Sequence, residues 1–157
     1  MSKSTRATLA LAKAGAEFEV LTYDYDPDAD KIGIQAAEAL GVPPSIVLKT
    51  LMAEVDGKPV CVVIPSDKEV SMKKLAAAFK GKSANMMKPA AAEKATGYVV
   101  GGISPFGQKK QVPTVFEAEA MSHDHVYMNG GQRGLQVKLK PAAAVKAANA
   151  ISAAVVA

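Results

Sequence analysis

Short apolar runs of period two alternate along this chain with alanine-rich stretches of helical spacing, and glycine or proline punctuates nearly every change. Ser2 or Ser4 is placed to cap a helix that runs to Lys13 and closes at Gly15. Glu17 to Tyr23 alternates and is rich in β-formers, so a strand is expected there. Ile34 to Leu40 reads as a short helix stopped by Gly41 and Pro43. Ile46 to Val55 and Pro59 to Ile64 read as a hairpin about Asp56-Gly57. Ser71 caps a helix from Met72 to Phe79, Ala84 to Met87 forms a short strand, and Pro89 opens a helix that ends at Gly97. Pro113 to Glu117 is a strand followed by a brief helical or irregular segment. Val126 to Met128 and Leu135 to Lys140 are strands joined through a glycine-rich loop, and Pro141 opens a closing helix. No repeat or linker divides residues 1–157, so the pattern predicts a single α/β domain with a mixed, curved sheet.

Composition narrows this reading. The 157 residues are 49% hydrophobic and 22% charged, ordinary values for a soluble domain with a proper core. No apolar run approaches the roughly 20 residues that span a bilayer. The amino terminus does not resemble a signal peptide, and one cysteine, Cys61, excludes an intramolecular disulfide. A cytoplasmic protein without a membrane partner is expected. The net charge is +4, and 17 of the 19 basic residues are lysine. That bias favours a polyanionic partner through phosphate attraction. With 5% aromatics and no tryptophan, contacts to nucleic acid are expected at the backbone rather than by base stacking.

Candidate chemistry concentrates in a few places. Gly97-Tyr98-Val99-Val100-Gly101-Gly102-Ile103-Ser104-Pro105-Phe106-Gly107-Gln108-Lys109-Lys110 runs from apolar residues into a Gly-Gly pair, a Ser-Pro step and two lysines. Glycine lets a ligand approach the main chain, and proline fixes φ, so the string suits a rigid pocket wall or an ornate turn. Asn129-Gly130-Gly131-Gln132-Arg133-Gly134 carries a hairpin signal and can supply a second wall. Within the first hairpin strand, Val47, Lys49, Leu51, Ala53 and Val55 share a face, which leaves Lys49 as its one charge. Such a lysine must snorkel out or meet an anion. Thr50 points the other way unless a strand end or bulge intervenes. Lys73, Lys74, Lys80, Lys82 and Lys88 cluster around one helix, as a solvated face or a phosphate-tracking patch. Asp24, Asp26, Asp28 and Asp30 are spaced like a calcium loop but lack its glycine and distal glutamate, so no metal is expected. His123-Asp124-His125 lacks a third metal ligand, and Cys61 lies in an apolar run as a small buried hydrophobe.

Val47-Leu48-Lys49-Thr50-Leu51, the Gly97 to Lys110 string with Thr96 before it, and Gly130-Gly131-Gln132-Arg133-Gly134-Leu135 occur in an order that resembles the YbaK/EbsC family of free-standing aminoacyl-tRNA deacylases. The Gly-Gly-Ile-Ser-Pro string is similar to the Cys-tRNA(Pro) deacylase branch, and related domains are inserted in bacterial prolyl-tRNA synthetases. The resemblance implies a six- or seven-stranded mixed sheet curved towards a barrel, surrounded by helices, without a cofactor. It also implies clearance of cysteine from proline tRNA, and from Cys-tRNA(Cys) as a further substrate, with prolyl-tRNA synthetase as protein partner. On that basis Lys49 is the expected catalytic residue, with Gly101 and Gly102 supplying oxyanion donors. Tyr23, Thr50, Ile103, Ser104, Pro105, Gly130 and Gly131 are expected to bind substrate, and Lys73, Lys74, Lys80, Lys82, Lys109 and Lys110 to meet tRNA. Two positions depart from the family pattern: Ile32 replaces an aromatic residue and Asn129 replaces a serine, both at the pocket. They leave open clearance of another amino acid, such as alanine from Ala-tRNA(Pro), and a non-catalytic tRNA- or synthetase-binding module.

Overall fold

The computed structural model describes residues 4–28 and 32–157 of the chain. In chain order the helices are α1 (Arg6–Lys13), α2 (Ile32–Leu40), α3 (Met72–Ala78), α4 (Pro89–Thr96) and α5 (Pro141–Ala148). The strands are β1 (Phe18–Thr22), β2 (Leu48–Val55), β3 (Lys58–Pro65), β4 (Ala84–Met86), β5 (Thr114–Glu117), β6 (Val126–Asn129), β7 (Leu135–Leu139) and β8 (Ile151–Ala153). The mixed α/β architecture expected from the pattern is present.

The cap of α1 is Thr5 rather than a serine. Thr5 Oγ1 accepts from the Thr8 N–H at 3.1 Å while Thr8 Oγ1 accepts from the Thr5 N–H at 2.8 Å, a reciprocal pair that satisfies two end-of-helix donors. Ser4 stands one residue too early, and Ser2 lies outside the described residues. Thr5 also donates to the Gly130 carbonyl, which pins the start of α1 to the glycine loop after β6.

The strands divide into two sheets. One is three-stranded and antiparallel, in the order β1-β7-β6, and the other is five-stranded and mixed, in the order β4-β2-β3-β5-β8. β2 and β3 are the expected hairpin, in register from Leu48 opposite Pro65 to Val55 opposite Lys58. β3–β5 and β5–β8 are parallel. The sheets touch through one parallel bridge, Val47 to Tyr127. The single sheet of the sequence reading is therefore two, and they are not closed into a barrel. Pro44–Ile46 forms a turn of 3-10 helix and the Val47 N–H donates to the Pro44 carbonyl, so pairing cannot continue backwards from the bridge. For the same reason the first hairpin strand starts at Leu48, not Ile46.

β2 separates two cores by simple alternation. Leu48 and Met52 pack with Val63, Phe106, Phe116, Met128, Val137 and Leu139, whereas Ala53 and Val55 pack with Val62, Ile64, Leu75 and Val115 on the other side. β8 was not expected from the pattern. It pairs with β5, and the residues after it are held by Glu117, which is 1% exposed: its Oε1 accepts from the Val155 and Val156 N–H groups at 2.7 and 3.2 Å. The tail then bridges to Val70, and the Ala157 N–H donates to the Glu69 carbonyl. Among the described residues no helix is long and apolar enough to cross a membrane.

Candidate active site

Lys49, Thr50, Gly101, Ile103 and Asn129 wall one cavity of about 430 Å³. It lies beside the seam between the sheets, where β2 leaves the Val47 bridge. Its apolar wall is built from Leu48, Leu51, Met52, Met86, Met87, Ala92 and Val100. Gly33, at the start of α2, completes another side: a Cβ there would fall 2.2 Å from Ser66 Oγ, so only glycine lets the helix approach. Ile32 opens α2, but its side chain lies outside the described residues, as does Asp30 of the acidic loop.

Lys49 meets an anion rather than snorkelling free. Its Nζ lies 3.7 Å from Glu69 Oε1, with the lysine side chain 23% exposed and the glutamate 74% exposed. Glu69 also belongs to the cavity wall. An ion pair of this length with one exposed partner is weak, so an incoming anionic or carbonyl oxygen can compete for the ammonium. Thr50, its neighbour, reaches the same cavity despite the alternation, because the cavity wraps around the start of β2. Its Oγ1 is buried and finds no partner among the described residues.

The Gly-Gly-Ile-Ser-Pro segment is a framed loop. Tyr98 Oη donates to the Phe106 carbonyl, Ser104 Oγ accepts from the Phe106 N–H at 3.2 Å, and Gln108 Nε2 donates to the Ser104 carbonyl at 3.0 Å. Burial pushes the Tyr98 phenol up to about 12 despite the nearby Arg6 guanidinium, which keeps it a donor. Ser104 and Pro105 are buried frame members and do not wall the cavity. Further along, Glu93 Oε2 accepts from the Val100 N–H at 2.8 Å and Arg133 Nε donates to the Val100 carbonyl at 3.0 Å. The Gly102 N–H is spent on the Val99 carbonyl at 2.8 Å. Among the described residues no acceptor meets the Gly101 N–H, so of the two glycines expected to donate only Gly101 has its N–H unspent.

Asn129 joins the two glycine loops. Its Nδ2 donates to the Gly101 carbonyl at 3.1 Å and the Gln132 carbonyl at 3.2 Å, and its Oδ1 accepts from the Gly131 N–H at 2.6 Å and the Gln132 N–H at 3.2 Å. Asn129 thus ties both loops together, but Gly130 and Gly131 are not among the residues that wall the cavity. Tyr23 does not wall it either. Its phenol is pushed up by burial and secondarily by Tyr25, and its Oη has no partner among the described residues. Lys73, Lys74, Lys80, Lys82, Lys109 and Lys110 are exposed and none walls the cavity. Cys61 is fully buried, with its thiol pushed up to about 12 by desolvation, as a small hydrophobe should be. His125 Nδ1 lies 2.8 Å from Asp124.

Sequence reasoning missed Glu69, the methionine wall of Met52, Met86 and Met87, and Gln136. Gln136 sits in an alternating strand on the side that reads as solvent, and tertiary packing leaves it only 4% exposed. A second cavity of about 540 Å³, between the end of α1 and α5, contains none of the expected site residues.

The aminoacyl-tRNA editing domain family matches residues 26–147. EbsC of Enterococcus faecalis, named as a candidate Cys-tRNA(Pro)/Cys-tRNA(Cys) deacylase, is 37% identical over 130 residues, 81% of this chain and 79% of its own. A proline–tRNA ligase of Acidithiobacillus ferrooxidans is 30% identical over 87 residues, which are 55% of this chain and 15% of the ligase. The solved structure of a candidate trans-editing enzyme for prolyl-tRNA synthetase shares the fold at a TM-score of 0.86 and 18% identity, covering 100% of this chain and 98% of its own. Over most of its length, and with Lys49 and Gly101 facing one cavity, the chain belongs to the aminoacyl-tRNA editing domain family.

Proposed function

We propose that this aminoacyl-tRNA deacylase acts in trans on cysteine mischarged to proline tRNA, beside prolyl-tRNA synthetase, and takes Cys-tRNA(Cys) as a further substrate. The observation that carries the reading is the placement of Lys49 and of Gly101, whose N–H is unspent, on the wall of one largely apolar cavity. An aminoacyl ester is already activated, so a site of this kind needs charge stabilisation more than a strong base. The substrate's own thiol supplies the nucleophile. It gives up its proton, the sulfur bonds to the carbonyl carbon, the carbon–oxygen bond to the terminal ribose breaks, and the ribose oxygen takes up a proton. The products are a cyclic thiolactone and free tRNA. The attack is already intramolecular, and the cavity favours it by holding the cysteinyl side chain in the rotamer that brings sulfur to the carbonyl carbon. Lys49 clamps the carbonyl or ribose oxygen, and the Gly101 N–H donates to the developing oxyanion.

The name of the enterococcal relative supports the choice of cysteine, and the ligase match supports the link to proline tRNA. The cavity's methionine-rich wall suits a small, sulfur-bearing side chain. The test is release of amino acid from Cys-tRNA(Pro), Ala-tRNA(Pro) and Pro-tRNA(Pro) by the wild type and by Lys49→Ala. Loss of cysteine alone, reduced at least 100-fold by Lys49→Ala, is the expected result. Faster release of alanine would transfer the chain to a water-dependent branch. Binding of tRNA without cleavage of any ester would leave a binding module.

A further inference from the structure

Four buried polar side-chain atoms lack a hydrogen-bond partner among the described residues: Tyr23 Oη, Thr50 Oγ1, Gln108 Oε1 and Gln136 Oε1. Two of their residues, Thr50 and Gln136, wall the Lys49 cavity. Gln136 is 4% exposed. It lies opposite Leu21 on one neighbouring strand and Asn129 on the other, so the three side chains share a face of the small sheet. Asn129 cannot serve as its partner, because both of its amide atoms are engaged by the glycine loops. Native proteins rarely leave a buried polar atom unpaired, and a binding site is one place where such an atom persists.

The chemistry of the two atoms points to one kind of group. A carboxamide oxygen only accepts, and a hydroxyl oxygen can accept as well as donate. The cavity holds a donor in the Lys49 ammonium, and its wall carries the Glu69 carboxylate, which Lys49 occupies; the acceptors left without a partner are those of Gln136 and Thr50. An aminoacyl ester has one group with a surplus of donors, its α-ammonium. We propose that Gln136, together with Thr50, receives that α-ammonium and so separates aminoacyl esters from acyl esters that lack the amine. This rests on the deacylase reading of the cavity. A neutral acceptor suits the place, because unlike a second carboxylate beside Glu69 it does not compete with the substrate oxygen for the Lys49 ammonium.

The experiment compares two esters of the same tRNA, cysteinyl and 3-mercaptopropionyl. The second keeps the thiol and the carbonyl at the same spacing and lacks only the amine. Each kcat/KM is divided by that ester's spontaneous hydrolysis rate, which removes the difference in intrinsic reactivity. The wild type is expected to favour the cysteinyl ester by about 10- to 100-fold, the range of a hydrogen bond to a charged group. Gln136→Leu should lower cysteinyl turnover by that factor and leave mercaptopropionyl turnover within about twofold, and Gln136→Glu should retain the preference. Thr50→Val should shift the ratio in the same direction and serves if Gln136→Leu does not fold. Equal handling of both esters by the wild type, or equal losses on both in the variants, would overturn the subsite while the deacylase reading stands. Turnover of neither ester by the wild type would overturn both.

Discussion

Gly101 combines a conformational and a steric demand at the site. Its φ of +91° lies where a side chain is strained, and a Cβ would stand 2.7 Å from Tyr25 Oη and 3.4 Å from Arg133 Nε. Arg133 in turn holds the Val100 carbonyl and lies over the Tyr25 ring at 5.5 Å. A methyl group at Gly101 therefore disturbs the struts that hold this loop at the cavity wall. Gly101→Ala is expected to cost about 1–2 kcal/mol of stability and to lower deacylation by more than tenfold. Gly57→Ala is the matched control: its φ is +81°, yet nothing lies within 4 Å of the added Cβ. It should show a similar shift in urea midpoint with unchanged turnover. If the two variants lose activity alike, the Gly101 effect is mere strain and not a misplaced donor. The departure at Asn129 also gains a meaning at this scale, since an amide can bind the two loops from both its ends where a hydroxyl offers a single atom.

At the scale of elements, Glu117 shows how a buried carboxyl group organises backbone. It ends β5, and besides the two tail amides its Oε2 accepts from the Glu119 N–H at 2.9 Å. Three backbone donors would be orphaned together by Glu117→Ala. The expected cost is about 3 kcal/mol or more, read as a fall in urea midpoint. Glu117→Gln, which keeps acceptors at one end only, should fall between. Elements with strong local signals were legible without the fold: the Asp56-Gly57 hairpin, Ser71 as the cap of α3, Pro89 and Pro141 at the first turns of α4 and α5, and Gly97 as the left-handed end of α4. β8 was not legible, because Ile151-Ser152-Ala153 is short and exposed and becomes a strand only through its parallel partner. The same holds for the cavity. Lys49 stood out as a lone charge on an apolar face, and the two glycine loops stood out by composition. Gln136 and Glu69 did not, since the burial of one and the pairing of the other depend on tertiary contacts that their own segments do not signal.

For the whole molecule, the cavity is small beside a tRNA, so most of the polyanion must lie on the surface. The six lysines expected to meet tRNA, Lys73, Lys74, Lys80, Lys82, Lys109 and Lys110, are all exposed, but Lys74 Nζ also donates to the Val156 carbonyl at 2.9 Å and helps to anchor the tail. These two roles make different predictions. Each lysine that neutralises a phosphate contributes close to one unit to the slope of log affinity against log salt. Replacing Lys73, Lys80 and Lys82 together by alanine should weaken tRNA binding at low salt and flatten that slope by about three units at most. Turnover of a minimal cysteinyl-adenosine ester, which has no phosphate chain, should be unchanged by the same replacement. Lys74→Ala should lower thermal stability and alter the slope by less than the others. An unchanged salt slope in the triple variant would place tRNA on another face, and the next candidates are Lys138, Lys140 and Lys146 around the second cavity. Because the patch and the cavity are read by different substrates, the two measurements separate the binding of the polyanion from the chemistry on its last residue.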